Sequence, residues 1–299
     1  MPIAISDLRP AEPARAYDDG SWLKHSSYCP ACHQWVAADD PSHVPIDLPA
    51  RLWVYTNYDC NLSCSYCLVS SNPWAERRGI GLERAIQLLD EASALGISNV
   101  FFTGGEPFIL TDIYDMIAHA TPRFVTTVLS NAMIIRGKRL ERLRAINHPN
   151  LFIQVSLDDS EPGVHDQYRG AGSWKKAREG IRLLQGAGIQ VRIATTVTPE
   201  GMLRIPHVRA FVQDELGIAD ENHIVRPLIK RGFAETGLEV DRTELVPEMT
   251  VDVNGVYWHP VGTDADLLVT SEIFPLRGAI EKIAALLQST SPARSQPFR

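Results

Sequence analysis

Residues Met1 to Gly20 contain no apolar run, so neither an export signal nor a membrane span is expected there. Cysteine is scarce, with five in 299 residues. Without an export signal, so few thiols point to a reducing, cytoplasmic setting and to metal ligation rather than disulfides. Basic charge is not in excess either. Lys and Arg number 29 against 36 Asp and Glu, and the formal charge of −7 argues against a general nucleic-acid binder, leaving room only for a local basic patch. There is no low-complexity block and no internal repeat beyond an alternation of strand-like and helix-like segments. What the chain does have is a 44% apolar fraction, which suits a globular core. Its length fits one large domain or one domain with an appendage.

Three of the five cysteines fall in one short stretch, Tyr58-Asp-Cys-Asn-Leu-Ser-Cys-Ser-Tyr-Cys67. Three thiols in one loop can ligate three irons of a four-iron cluster and leave the fourth iron open, whereas ferredoxin-type sites supply four cysteines and leave no vacancy. Zinc is the rival ligand, although structural zinc normally takes four protein ligands; unligated thiols are the third reading. The preceding segment, 51–57, is apolar and β-prone, so the cysteines leave the end of a strand. A second motif, Thr103-Gly-Gly-Glu-Pro107, follows the β-prone run 99–103. Gly104 and Gly105 let a ligand approach the backbone closely, or else make a tight strand-to-helix turn with Pro107 opening the helix.

With these two motifs the chain resembles the radical S-adenosylmethionine (radical SAM) superfamily. The likeness rests on the three-cysteine loop after the first strand, with aromatic Tyr66 before its last cysteine, and on Gly104-Gly105-Glu106-Pro107 after the second. It implies that Cys60, Cys64 and Cys67 are the catalytic ligands of a [4Fe-4S] cluster. The open iron then binds the amino and carboxylate groups of SAM, and reductive cleavage of the sulfonium gives a 5′-deoxyadenosyl radical. It also implies a set of SAM-binding residues. Tyr66 flanks the cluster. The Gly104–Gly105 loop bonds the methionine amine, and Glu106 favours a cationic ammonium nearby. Ser130 and Asn131 reach the ribose or carboxylate, with Ala132 standing where relatives carry Gly. Ser156 meets the SAM carboxylate at the end of the fourth strand. The segment His165-Asp-Gln-Tyr-Arg169-Gly170 is similar to one in peptide-modifying and cofactor-maturing members. Arg169 and Arg192 join the SAM-binding set, Arg192 as a clamp on the carboxylate; a structural, ion-pairing arginine is the alternative for each.

Strand candidates lie at 52–57, 99–103, 124–130, 151–157, 190–197 and 223–229, with helix candidates at 82–95, 111–120, 137–146, 173–187 and 202–216. Gly96 and Gly188 stand just past two of these helices, where a left-handed cap is expected. Strands alternating with helices predict a parallel α/β sheet. The resemblance implies a partial six-stranded parallel (β/α)6 barrel, with functional groups at the C-terminal ends of the strands. Three regions are expected: an N-terminal arm over 1–48, the core over 49–232, and a small α+β appendage over 233–299. The appendage is similar to the shortened SPASM-like (twitch) region of maturases. Within it, Thr250–Trp258 reads as two short strands about an Asn254-Gly255 turn, followed by an amphipathic helix over 274–288 and a frayed tail. Tyr257 or Trp258 is placed against the substrate space.

The arm holds Cys29-Pro-Ala-Cys32-His33. A CxxCH string can attach c-type haem, but only on export. It reads better as half of a zinc knuckle completed by His33, His25 or His43, or else as free thiols. With three cysteines assigned, only these two remain, so the chain cannot supply a second, four-thiolate cluster. Basic residues at Lys138, Arg139, Arg142 and Arg144, and at Lys175, Lys176 and Arg178, form either solvated helix faces or a docking patch for an acidic reductant such as a flavodoxin or ferredoxin. The expected activity is radical modification of a peptide or a cofactor-biosynthetic intermediate. A lipid or other small-molecule substrate, and a non-catalytic iron–sulfur protein, are the alternatives.

Overall fold

The computed structural model describes residues 26–37, 42–43, 45–198 and 201–289. Its main sheet has nine strands. Six run parallel in chain order: β4 (Arg51–Tyr55), β5 (Asn99–Thr103), β6 (Val125–Ser130), β7 (Leu151–Ser156), β8 (Gln190–Val197) and β9 (His223–Pro227). Runs such as Val-Phe-Phe are apolar on both faces because a parallel sheet is covered on both sides. The outer face carries Leu52, Val54, Val100, Phe102, Val128, Ile153, Val155 and Ile193 into the main core beneath the helices. The inner face, level by level, carries Trp53, Phe101, Thr127 and Phe152, which the register sets side by side. Trp53 stacks on Phe101 with ring centroids 4.2 Å apart.

The helices cover the outer face. In α1 (Leu82–Ala94) the buried residues Ala85, Leu88, Leu89 and Ala92 repeat at helical spacing and make one apolar stripe. The same holds for Ala177, Ile181 and Leu184 of α5 (Ser173–Gly186). Between these lie α2 (Ile113–Ala120), α3 (Lys138–Ile146) and α4 (Pro162–Arg169). Gly96 and Gly188, just beyond α1 and α5, have φ of 86° and 76°, the left-handed caps expected. The predicted helix 202–216 is broken into a 3-10 turn, α6 (Ile205–Ala210) and a π-helical turn over Phe211–Glu215, which puts Phe211 and Val212 into the core.

The C-terminal segment extends the same sheet. The short strand β10 (Thr250–Val251) pairs parallel with β4 and antiparallel with β11 (Val256–Tyr257), which pairs with β12 (Leu268–Thr270). The sheet curls so that its first and last loops touch: Phe233 N, beyond β9, donates to Cys67 O, beyond β4, at 3.0 Å. The closing helix α7 (Leu276–Ser289) packs against α1, β3 and β12. Tyr257 and Trp258 are buried in the main core, and the Trp258 indole donates to Leu245 O. Through Thr250, Tyr257 stands in register with Trp53 of the inner face.

Residues 26–37 and 46–49 form a three-stranded antiparallel sheet, β1 (Ser26–Cys29), β2 (Gln34–Ala37) and β3 (Ile46–Pro49), where an extended arm was expected. Its strands have four residues each, too short to show periodicity in sequence. His25 and the tail from Thr290 lie outside the described residues. Among the described residues no helix is long and apolar enough to cross a membrane.

Candidate active site

The cysteine loop leaves the C-terminal end of β4 and closes on itself, with Cys60 N donating to Asn72 O at 3.2 Å. Tyr58 anchors its start: the hydroxyl donates to Asp252 Oδ2 at 2.5 Å and meets Thr263 Oγ1 at 2.8 Å, while the Arg78 guanidinium lies 3.9 Å from the ring centroid. Cys60, Cys64 and Cys67 form no disulfide and are half-buried. Backbone N–H groups already point at two of the sulfurs, Leu62 N at Cys60 Sγ (3.4 Å) and Ser71 N at Cys67 Sγ (3.2 Å). Burial pushes the Cys60 thiol up to about 12, with Glu106 adding to the effect. Burial likewise raises Cys64 to about 11, although Arg169 opposes it. Cys60 and Cys64 therefore hold their protons at neutral pH until a cation takes the sulfur. Three thiols, two of them met by N–H donors, fit a [4Fe-4S] cluster with one open iron.

The Gly-Gly-Glu-Pro loop after β5 interlocks with this loop. Gly105 N donates to Asn57 O (2.9 Å) and Glu106 N to Asp59 O (3.1 Å). A Cβ on Gly104 would lie 2.3 Å from Asn57 O, and one on Gly105 would lie 2.1 Å from Asp59 O. Both glycines are thus required by the approach of one backbone to another, where the sequence suggested the approach of a ligand. Glu106 also differs from expectation. Its carboxylate is fully buried and faces protein donors: Oε1 accepts from Phe108 N and Ser130 Oγ, and Oε2 from Asn131 N. Burial nonetheless raises it to about 7. It braces the loops after β5 and β6, and no ammonium is needed to satisfy it. Ser130 bonds Glu106 and receives Ala132 N. Asn131 bonds Asn61 Oδ1 at 2.9 Å and points the same amide at Cys60 Sγ, 3.9 Å away. Ala132 takes φ 57°, the left-handed conformation that glycine adopts most readily.

On the other side, Tyr66, Asp158 and Arg169 form one buried cluster. The Tyr66 hydroxyl donates to Asp158 Oδ2. Arg169 grips the same carboxylate through Nε (2.6 Å) and Nη2 (3.2 Å), and Thr196 N donates to Oδ1 (3.1 Å). Burial alone would raise Asp158, but Arg169 and these donors outweigh it and hold the carboxylate below its usual range. The Arg169 guanidinium also lies 5.3 Å from the Tyr66 ring centroid. Asp158, just past β7, was not singled out from sequence; only its position at a strand end could have marked it. Beside it Asp159 is held by Arg204 in a two-point pair at 2.8 and 2.9 Å.

Ser156 ends β7 on the inner face, in register with Ala194. Arg192 is turned the other way. Its guanidinium stacks 3.7 Å from the Phe152 ring centroid, donates to Thr127 Oγ1 and reaches Asn222 Oδ1, all nearer the N-terminal ends of the strands. The expected clamp on a SAM carboxylate is thus replaced by a structural role. The basic helices are partly engaged as well: Arg142 packs on Tyr114 and pairs with Asp115, and Arg178 pairs with Glu215. In the N-terminal sheet, His33 faces Tyr28 (3.1 Å) and Glu281 (3.6 Å), not the cysteines; His43 takes that place, 3.5 Å from Cys32 Sγ.

A free-cysteine loop on the first parallel strand, braced by the Gly-Gly-Glu-Pro loop on the second, is the arrangement matched by the radical SAM superfamily model over residues 54–204. The chain belongs to the radical SAM superfamily. This membership implies a [4Fe-4S] cluster and SAM. AdoMet-dependent heme synthase of Nitratidesulfovibrio vulgaris is 30% identical over 152 residues, covering 50% of this chain and 41% of that protein. PqqA peptide cyclase of Granulibacter bethesdensis is 31% identical over 175 residues, covering 56% and 45%. The matched stretch spans less than half of either relative. Streptococcus suis SuiB, in its crystal structure bound to S-adenosylmethionine, shares the fold with a TM-score of 0.55 at 20% identity, over 66% of this chain and 45% of its own.

Proposed function

We propose that this radical SAM protein is a cytosolic maturase that modifies a peptide or a cofactor-biosynthetic intermediate. The reading is carried by one observation: three free thiols sit on the loop leaving β4, with N–H groups aimed at two of their sulfurs. When bound, the cluster and SAM supply one-electron cleavage of the sulfonium and the 5′-deoxyadenosyl radical. The chain's own part is positional. Cys60, Cys64 and Cys67 would hold three irons as thiolates. Asn131, held by Asn61 and Glu106, would steady the Cys60 sulfur. Tyr66, Asp158 and Arg169 would hold the Cys64–Cys67 turn and keep a cation beside Cys64. Ser156, on the inner face at the end of β7, would face SAM, while Gly104, Gly105 and Ser130 would shape the loops around it. Peptide and cofactor chemistry in the named relatives supports the substrate class. The electron would come from a small reductant protein.

The test is anaerobic. The chain is reconstituted with iron and sulfide, given SAM and dithionite, and assayed for 5′-deoxyadenosine. About four irons per chain and SAM cleavage are expected, with cleavage abolished in Cys64→Ala while far-UV circular dichroism is unchanged. Cleavage retained in Cys64→Ala, or zinc instead of iron at this loop, would overturn the proposal.

A further inference from the structure

The N-terminal sheet carries two thiols that the cluster loop does not use. Cys29 ends β1, and Cys32 lies in the tight turn to β2, where His33 N donates to Cys29 O at 2.8 Å and His33 takes φ 57°. His43 comes from the connection to β3. One ligand atom from each of Cys29, Cys32 and His43 lies within 4.8 Å of the others. We propose that these three residues form a structural zinc site that fastens the N-terminal sheet together.

Three observations carry the proposal. The first is distance. Zinc–sulfur and zinc–nitrogen bonds of about 2.3 and 2.05 Å at a tetrahedral angle put the two donors about 3.6 Å apart. Cys32 Sγ and His43 Nδ1 are 3.5 Å apart. The second is donor chemistry: two thiols and an imidazole suit zinc and not hard cations. The third is need. Each strand has four residues, and among the described side chains of these strands only Tyr28, Cys29 and Leu48 are buried. A sheet this small has little core of its own, and a metal joining a strand, a turn and a connection supplies what packing does not. Solvent takes the fourth position.

The place of the site fits a structural role. β3 runs through Ala50 straight into the start of β4, whereas the cysteine loop leaves the far end of β4. Five residues of strand separate the two ends by about 17 Å. The turn instead faces α7 through His33 and Glu281, 3.6 Å apart. The proposal is independent of the chemistry assigned to the Cys60 loop.

The test uses the full chain with Cys60, Cys64 and Cys67 all changed to Ser, which leaves Cys29 and Cys32 as its only thiols. Zinc is counted by mass spectrometry after desalting and then exchanged for cobalt. One zinc per chain and thiolate–cobalt absorption in the visible are expected. Both should vanish in Cys29→Ser and in His43→Ala and persist in His33→Ala. The wild-type chain loaded with iron should carry the same single zinc beside its iron, which guards against misfolding of the triple variant. No zinc in either protein with both thiols open to titration, binding that survives Cys29→Ser, or binding that needs His33 in place of His43 would overturn the proposal.

Discussion

Replacing Arg169 with Ala removes two charge-assisted bonds from a buried carboxylate. Asp158 is 4% exposed, and Arg169 reaches it at 2.6 and 3.2 Å. Two donors remain, the Tyr66 hydroxyl and Thr196 N. Removing one partner of a buried ion pair typically costs about 3–5 kcal/mol, against about 1 kcal/mol or less for an exposed pair. The variant has a relief that the wild type lacks. Burial then acts on Asp158 without the arginine, so its pKa should rise above the usual carboxylate range. A raised carboxyl stabilises the fold below its unfolded pKa and loses that contribution as pH rises through the folded one. The deficit of Arg169→Ala should therefore be smaller at pH 5 than at pH 8. Anaerobic urea unfolding at both values, followed by tryptophan fluorescence, measures it. Asp158→Asn should also destabilise, and the double change should cost less than the sum of the singles because each leaves the other charge stranded. A loss below about 1 kcal/mol that is the same at both pH values would place the pair with exposed ones and refute the reasoning.

Gly105→Ala should force the loop after β5 off the cysteine loop, since its Cβ would sit 2.1 Å from Asp59 O. A cost of about 3 kcal/mol or failure to fold, with reduced iron uptake, is expected; an unchanged urea midpoint would contradict it. Ala132→Gly should be nearly neutral. Relief of a left-handed alanine, about 1–2 kcal/mol, is offset by loss of a buried methyl, about 0.8 kcal/mol, and by the backbone entropy of glycine; a loss above about 2 kcal/mol in thermal unfolding would show that φ 57° is not strained. Glu106→Gln should fall further behind the wild type as pH falls. With its carboxyl raised from 4.5 to about 7, Glu106 adds stability of about 3 kcal/mol that is fully present below pH 4.5 and lost by pH 7. Unfolding curves of the two proteins that stay parallel from pH 8 to pH 4.5 would count against a protonated Glu106.

Some of this was legible in the chain. The strands at 99–103 and 190–197 match β5 and β8 to the residue: β-prone runs there are bounded by Gly96 and Gly188 before them and by Gly104 and Pro199 after them. The loop caps Gly96 and Gly188 follow from local backbone chemistry. The small strands β1 to β3 and helix α4 escaped, being short and half-exposed or opened by Glu-Pro without a long apolar stripe. At the site, residue identity was readable but direction was not. Arg192 carries the right chemistry for a carboxylate clamp, yet Phe152 and Thr127 from neighbouring strands draw it to the base.

By itself the sequence determined the three-thiol loop, the Gly-Gly-Glu-Pro turn and the alternation that makes a parallel sheet. Each is local, set by spacing or periodicity within a few residues. The tertiary structure decided everything that depends on partners far along the chain: Glu106 facing Ser130, Asp158 joining Tyr66 to Arg169, and His43 displacing His33 beside Cys32. A buried charge or thiol takes whichever partner the fold brings within reach, and only the packed chain fixes that distance.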